Sequence, residues 1–196
     1  MPFIFYDTET TGIEKRFDQI LQFAAIRTDE DFNEIDRFEI RSRLRPDVIA
    51  SPGAMRVTGV SIEQLLDPNI PSHFEMCKAI HEKLDSWSPA TIVGYNSISF
   101  DEELLRSAFY QSLLPIYLTN TSGNSRFDIL NLARAVHAFA PDTLNWPINE
   151  KGKVSFKLDQ LAPANGFNHD NAHEAMSDVE ATIYVAKLIR DRALHV

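Results

Sequence analysis

An α/β sandwich around a mixed sheet is predicted by two features of this 196-residue sequence. Three strand-like segments joined by short turns come first, which makes them antiparallel neighbours. Beyond residue 71, apolar segments alternate between helical and strand spacing, the order of a layered α/β structure. The length suits one well-buried core, so residues 1–196 are expected to form a single domain.

The first segment, Phe3-Ile-Phe-Tyr-Asp-Thr-Glu-Thr-Thr-Gly12, opens with an apolar and aromatic run suited to a strand buried on both faces and turns polar at Asp7. Residues 20–28 carry Leu21, Phe23, Ala25 and Ile26 densely enough for a central strand. A charged turn at 29–33 leads to 34–44, where Ile35, Phe38, Ile40 and Leu44 mix with Arg and Asp, as in a strand with one wet face. Residues 46–52 break the pattern, and 53–66 hold a short punctuated helical piece. An amphipathic helix at 71–87 carries Phe74, Cys77, Ile80 and Leu84 on one stripe, and a strand at 91–95 follows. Residues 99–114 are predicted helical, with Ser99 as N-cap and Glu102 and Glu103 in the first turn, where a helix favours negative charge. A loop at 115–124, a strand or helix entry at 126–130 and a helix at 132–140 come next. Residues 141–154, with Trp146, Pro147 and Gly152, read as a surface loop, and 155–164 as a helix ended by Asn165 and Gly166. The longest helix is predicted at 174–194.

A formal net charge of −9 counts against a tight grip on phosphates unless metals or a further basic domain offset it. The sole cysteine, Cys77, cannot form an internal disulfide, and no zinc spacing is present, which fits a reducing compartment. No signal-like amino terminus and no membrane-length apolar run are seen, so a soluble, cytoplasmic protein is expected.

If the first strand stays extended past Tyr6, its period of two places Asp7 and Glu9 on one face with Thr8 pointing away. Two carboxylates sharing a patch raise each other's pKa unless a cation lies between them, and oxygen-only ligands suit magnesium or manganese. For the pair alone, a polar turn closed by Thr11 and Gly12 with both acids solvated is the favoured reading, and only further acids arriving from elsewhere reverse it. Asp101 lies four and seven residues before Leu105 and Ala108, at the top of an apolar stripe; either the free amides of the helix start satisfy it or it belongs to a site. Asp178 leads Thr182, Val185 and Ile189 at four, seven and eleven, so it opens a face that must pack inward. His173, five residues earlier, does not share that face, and with Ser177 in place the His-Glu-x-x-His zinc pattern is absent. His173 is therefore expected in the loop or first turn before the helix, beside the site rather than as a ligand.

Asp7 and Glu9 on a first strand, Asp101 opening a middle helix, and His173 with Asp178 at the last helix form an ordered constellation. It resembles the DnaQ-like, or DEDDh, 3′-to-5′ exonucleases. Within that family, Phe23-Ala-Ala-Ile-Arg-Thr-Asp29, Gly94-Tyr-Asn, Ser99-Phe-Asp101, Asn124-Ser-Arg-Phe-Asp128, Asn145-Trp-Pro147 and Ala164-Asn-Gly166 resemble the exonuclease domain of bacterial exonuclease I. The resemblance implies an RNase H-like fold, a mixed five-stranded sheet flanked by helices, and hydrolysis of single-stranded DNA from its 3′ end to nucleoside 5′-monophosphates. It also implies two Mg2+ or Mn2+ ions, one held by Asp7, Glu9 and Asp178 and the other by Asp7 with Asp101, and His173 as general base. Exonuclease I proteins are longer, so their further domains are expected to be absent from this chain. The continuation Thr10-Thr11-Gly12 is the general DnaQ-like form, which keeps proofreading-type and RNA-trimming relatives as alternatives.

The partner implied is the 3′ end of single-stranded DNA, with RNA as the alternative polymer and no membrane. Thr8, Thr10 and Thr11 are candidates to offer amides and hydroxyls to the terminal nucleotide, and Phe100, Phe127, Trp146 and Phe167 to stack on bases. Three rivals are distinguishable. A haloacid-dehalogenase-like phosphatase needs a second Asp where Glu9 stands. A non-catalytic nucleic-acid-binding domain is expected to be basic or to lack one of the acids, and a structural metal-binding domain would retain an ion without hydrolysis.

Overall fold

Alternation along the first strand sets the two layers of the molecule. The computed structural model describes residues 1–168 and 174–193. In β1 (Phe3–Thr10), Ile4 and Tyr6 enter one core and Phe5 the other, as the period of two requires. The remaining strands are β2 (Ile20–Thr28), β3 (Glu34–Arg41), β4 (Thr91–Gly94) and β5 (Ser125–Asp128), and the sheet order is β3-β2-β1-β4-β5. The three leading strands are antiparallel, whereas β1, β4 and β5 run parallel, so the mixed five-stranded sheet expected from the sequence is present.

The helices are α1 (Pro52–Thr58), α2 (Ile62–Leu66), α3 (His73–Trp87), α4 (Asp101–Gln111), α5 (Ile129–Phe139), α6 (Leu158–Ala164) and α7 (Ala175–Arg192). Helices α3 and α4 cover one face, where Met76, Ile80, Leu105 and Phe109 pack on Ile4, Tyr6 and Phe23. Helices α5, α6 and α7 cover the other, with Ala133, Leu161, Val179 and Val185 against Phe5, Ala24 and Val93. Leu161 is fully buried, so truncation to alanine is expected to cost about 2–5 kcal/mol. Among the described residues no helix is long and apolar enough to cross a membrane.

Two details of pairing create the site. Strand β1 keeps its β2 partner to its end, with Asp7 opposite Ala24 and Glu9 opposite Gln22, but pairs with β4 only from Phe3 to Phe5. Its carboxyl half therefore borders a crevice, and β4 and β5 end at the same edge, the usual place for a ligand in an open α/β sheet.

Several local expectations are corrected. The third strand ends at Arg41, because the amide of Ser42 bonds to Leu21 and that of Arg43 to Pro71. The piece at 53–66 is split into α1 and α2 at Gly59, which takes φ +66°. In α3 a capping box between Ser72 and Glu75 starts the helix at His73; the buried stripe is centred on His73, Met76, Cys77, Ile80 and Leu84, which leaves Phe74 at its edge and 55% exposed. The helix predicted from residue 99 begins at Asp101, and Ser99 sits in a 3-10 turn, Ser97–Ser99, without capping α4. Glu102 does not turn outward. It is buried, accepting from Thr119 Oγ1 at 2.5 Å and pairing with Arg106 at 2.9 Å and Arg126 at 3.2 Å. The segment at 126–130 resolves into β5 followed at once by α5, and the loop at 141–154 contains a 3-10 turn, Pro141–Thr143. Helix α6 starts at Leu158 because Ser155 N–H donates to Pro147 O and Tyr95 Oη to Phe156 O, holding those residues outside it.

Candidate active site

Asp7 and Glu9 leave β1 on the face covered by α7, and Asp178 comes down from the first turn of that helix. Ligand oxygens of the three carboxylates lie within 4.8 Å of one another, with Glu9 buried and the other two partly so. Helix α7 is aimed by its ends. Glu174 caps it by accepting from Ser177 N–H at 3.1 Å, and Thr182, Val185 and Ile189, all buried, fix the rotation that points Asp178 at β1. Glu174 is itself held by the Gln22 amide at 2.7 Å, and Gln22 is the cross-strand partner of Glu9.

Asp101 arrives from the opposite layer. It is buried at the start of α4, where Thr8 Oγ1 donates to its Oδ1 at 2.5 Å. Thr8 points away from Asp7 and Glu9, as the alternation requires, and so becomes the post that holds the fourth acid. Asp7 and Glu9 thus face Asp178 on one side of the sheet, and Asp101 approaches from the other side at the end of β1.

The electrostatics of this arrangement are strained in one direction. The Asp7 carboxyl is pushed well above the ordinary range, first by removal from water and then by the charges of Asp101, Asp178, Glu9 and Glu174. Glu9 is raised to about 8 by burial, then by Asp178, Asp101 and Glu174, with Arg41 opposing. Asp101 is raised to about 7 by burial, while the Thr8 hydrogen bond pulls it back. Keeping the cluster ionised calls for added positive charge, and a donor set made only of carboxylate oxygens suits Mg2+ or Mn2+. The residues therefore fit divalent-cation binding.

A consequence can be measured without activity. A carboxyl whose pKa is higher folded than unfolded binds more protons in the native state, so its stabilising contribution is present at low pH and lost as pH rises through the folded pKa. In EDTA, the melting temperature is expected to fall as pH rises from the ordinary carboxyl range near 4 to about 8, the span between the unfolded and folded values of Asp101 and Glu9, and to level off above it. Between about pH 4 and 6.5 His73, lowered to about 4 by burial, acts in the opposite sense and makes the fall shallower there. Saturating Mg2+ should remove the fall, and Glu9→Gln should reduce it; a flat profile in EDTA would contradict the charge arrangement. Calorimetry across pH provides the check.

A family model described as exonuclease, of the RNase T type, matches residues 4–186. The chain belongs to this exonuclease family. It is DnaQ-like and resembles bacterial exonuclease I. It is 41% identical to exodeoxyribonuclease I of Buchnera aphidicola over 97% of this chain and 46% of the relative, and 39% identical to that of Escherichia coli over 97% and 40%. The crystal structure of Escherichia coli exonuclease I in complex with a dT13 oligonucleotide superposes with a TM-score of 0.92 at 38% identity, covering 98% of this chain and 42% of that one. The fold is accordingly RNase H-like. The chain spans less than half the length of these relatives.

For this exonuclease-family chain, the other residues singled out from the sequence lie in varied places. Thr8 spends its hydroxyl on Asp101, Thr10 on Gly12 O, and Thr11 on Asp18. Phe100 occupies the N-cap position of α4 and packs on the α3–α4 core. Phe127 is 43% exposed and lines an apolar groove with Phe3, Phe5 and Leu132, whose walls include none of the site acids. Trp146 donates from Nε1 to Pro141 O and packs edgewise on His137, and Phe167 tilts against Tyr184. His173 lies outside the described residues. Sequence reading missed a cleft of about 570 Å³ that has Asp178 in its wall, together with Asn96, Arg134, Asn149 and Lys157. The Gly94-Tyr-Asn motif was the available signal, since Tyr95 and Asn96 line this cleft.

Proposed function

We propose that the chain is the catalytic domain of a 3′-to-5′ exonuclease that hydrolyses single-stranded DNA to nucleoside 5′-monophosphates. The observation that carries this reading is the convergence of Asp7, Glu9 and Asp178 within 4.8 Å, with Asp101 held by Thr8 at the same strand end. The relatives support the substrate class, since Escherichia coli exonuclease I has been seen with dT13 and dA16 oligonucleotides and in a zinc-bound form with single-stranded DNA.

Asp7, Glu9 and Asp178 would hold one divalent cation, and Asp7 with Asp101 a second. When bound, the cations supply positive charge for the attacking and leaving oxygens of a phosphodiester that is already anionic. The chain's own residues do the rest. Neutral His173 would take a proton from the attacking water as its oxygen bonds to phosphorus, and the bond from phosphorus to the 3′-oxygen of the preceding nucleotide breaks, that oxygen taking up a proton from solvent to leave as a 3′-hydroxyl. The cleft beside Asp178, with Asn96 and Lys157 at its wall, is the space available to a single strand.

Linear and circular single-stranded DNA, and a blunt duplex, incubated with Mg2+ test the reading. The linear strand is expected to be consumed, the circle spared and the duplex degraded much more slowly, with EDTA stopping all hydrolysis. Nicking of the circle, or equal rates on duplex and single strand, would contradict it. With a net charge of −9, binding by this chain is expected to be weak and its salt dependence shallow.

A further inference from the structure

Asp101 reaches the site by way of the turn 95–100, whose shape is unusual. Asn96 takes a left-handed conformation at φ +62°, and the turn folds tightly onto β1: a Cβ at Gly94 would lie 2.6 Å from the Ser97 hydroxyl oxygen and 3.1 Å from Tyr6 O. A non-glycine residue at positive φ persists where its surroundings over-determine it.

Within the turn Ser99 Oγ donates to Asn96 O and Oδ1, and from outside it the holding group is Asp128, the last residue of β5, which pairs with Gly94 across the sheet. Its carboxylate is buried and accepts three backbone N–H groups: Asn96 at 2.9 Å and Leu130 at 3.0 Å on Oδ1, and Ile98 at 3.2 Å on Oδ2. An ordinary N-cap of α5 needs the bond to Leu130 alone. The other two reach into the turn that delivers Asp101, and serve no purpose within α5.

We propose that Asp128 is a positioning residue for Asp101: by holding the amides of Asn96 and Ile98 it fixes the β4–α4 turn, and thereby sets the site's affinity for the cation that Asp101 would ligate. This rests on Asp101 being a ligand, as in the function proposed above. It also explains why Gly94-Tyr-Asn and the Asp that ends Asn124-Ser-Arg-Phe-Asp128 belong together, one motif forming the turn and the other clamping it.

Asp128→Ser separates the two roles, because a serine can still cap α5 but is too short to reach the turn. The probe is Mn2+, with binding read from the electron paramagnetic resonance signal of the free ion and hydrogen exchange read at the amides of Asn96 and Ile98. Asp101→Ala defines the site concerned, and Val136→Ala, a buried change in α5, controls for lost stability. The expected result for Asp128→Ser is faster exchange at both amides and Mn2+ affinity about 10- to 100-fold weaker at the Asp101-dependent site, the range for groups that orient ligands. Turnover should recover at saturating Mn2+ with an unchanged KM for the oligonucleotide. If Asp128→Ser does not fold, Asp128→Asn, which keeps one acceptor and turns an amide toward Ile98, should show the same changes in smaller measure. Wild-type Mn2+ affinity in the foldable variant, an equal shift in Val136→Ala, or Mn2+ binding indifferent to Asp101→Ala would overturn the proposal. A wild type that binds Mn2+ yet leaves every oligonucleotide intact would refute the function instead, while the binding comparison would still decide the role of Asp128.

Discussion

Asp7→Ala is expected to lose about three orders of magnitude or more in turnover while keeping the fold. Asp7 is the acid on which the others converge, since the charges of Asp101, Asp178, Glu9 and Glu174 all bear on it. In the proposed arrangement it contacts both cations, so its loss removes several kcal/mol of transition-state stabilisation, at about 1.4 kcal/mol per tenfold in rate. The same substitution relieves like-charge repulsion. In EDTA the variant should therefore melt at or above the wild-type temperature, and Mg2+ should stabilise it less than it stabilises the wild type. A variant that retains full activity, or one that is inactive only because it has unfolded, would remove the support for this role.

His173→Ala is expected to lower turnover by about 10² to 10⁴, the usual contribution of a general base, with cation and oligonucleotide affinity nearly unchanged. His173 immediately precedes Glu174, the residue that caps α7 and lies one turn before Asp178. The chain is thus tied to the acid cluster directly after the histidine. The wild-type rate should rise with pH as the imidazole loses its proton, and the alanine variant should lack that limb. Single-turnover rates for both proteins across pH, at saturating Mg2+, separate the possibilities. Unchanged rates would make His173 a bystander, and a defect cured by more Mg2+ would make it a ligand.

The parts of the site legible in the sequence were those governed by a short period. Asp7 and Glu9 share a face because a strand alternates, and Asp178 could be placed because Thr182, Val185 and Ile189 follow it at helical spacing and are buried. The sheet was readable for the same reason. What stayed hidden depended on partners distant in sequence. Glu102 looks like a solvated first-turn acid until Arg126 from β5 and Thr119 close over it. Phe74 lies three residues before Cys77 but at the edge of the stripe that His73, Met76, Cys77, Ile80 and Leu84 define, and which edge is covered depends on what packs there. Asp128 read as a possible helix entry, but its bonds to Asn96 and Ile98 span about 30 residues and leave no local pattern.

The most direct test of the carboxylate site as the seat of exonuclease chemistry is one gel and one chromatogram. A 5′-labelled single-stranded oligonucleotide is incubated with Mg2+ and either the wild type or Asp7→Ala, and the released products are separated from the shortened strands. The wild type is expected to give a ladder that shortens from the 3′ end and to release nucleoside 5′-monophosphates, and Asp7→Ala should leave the strand intact. Identical ladders from the two proteins, or labelled mononucleotide released at the outset from the 5′ end, would contradict the assignment.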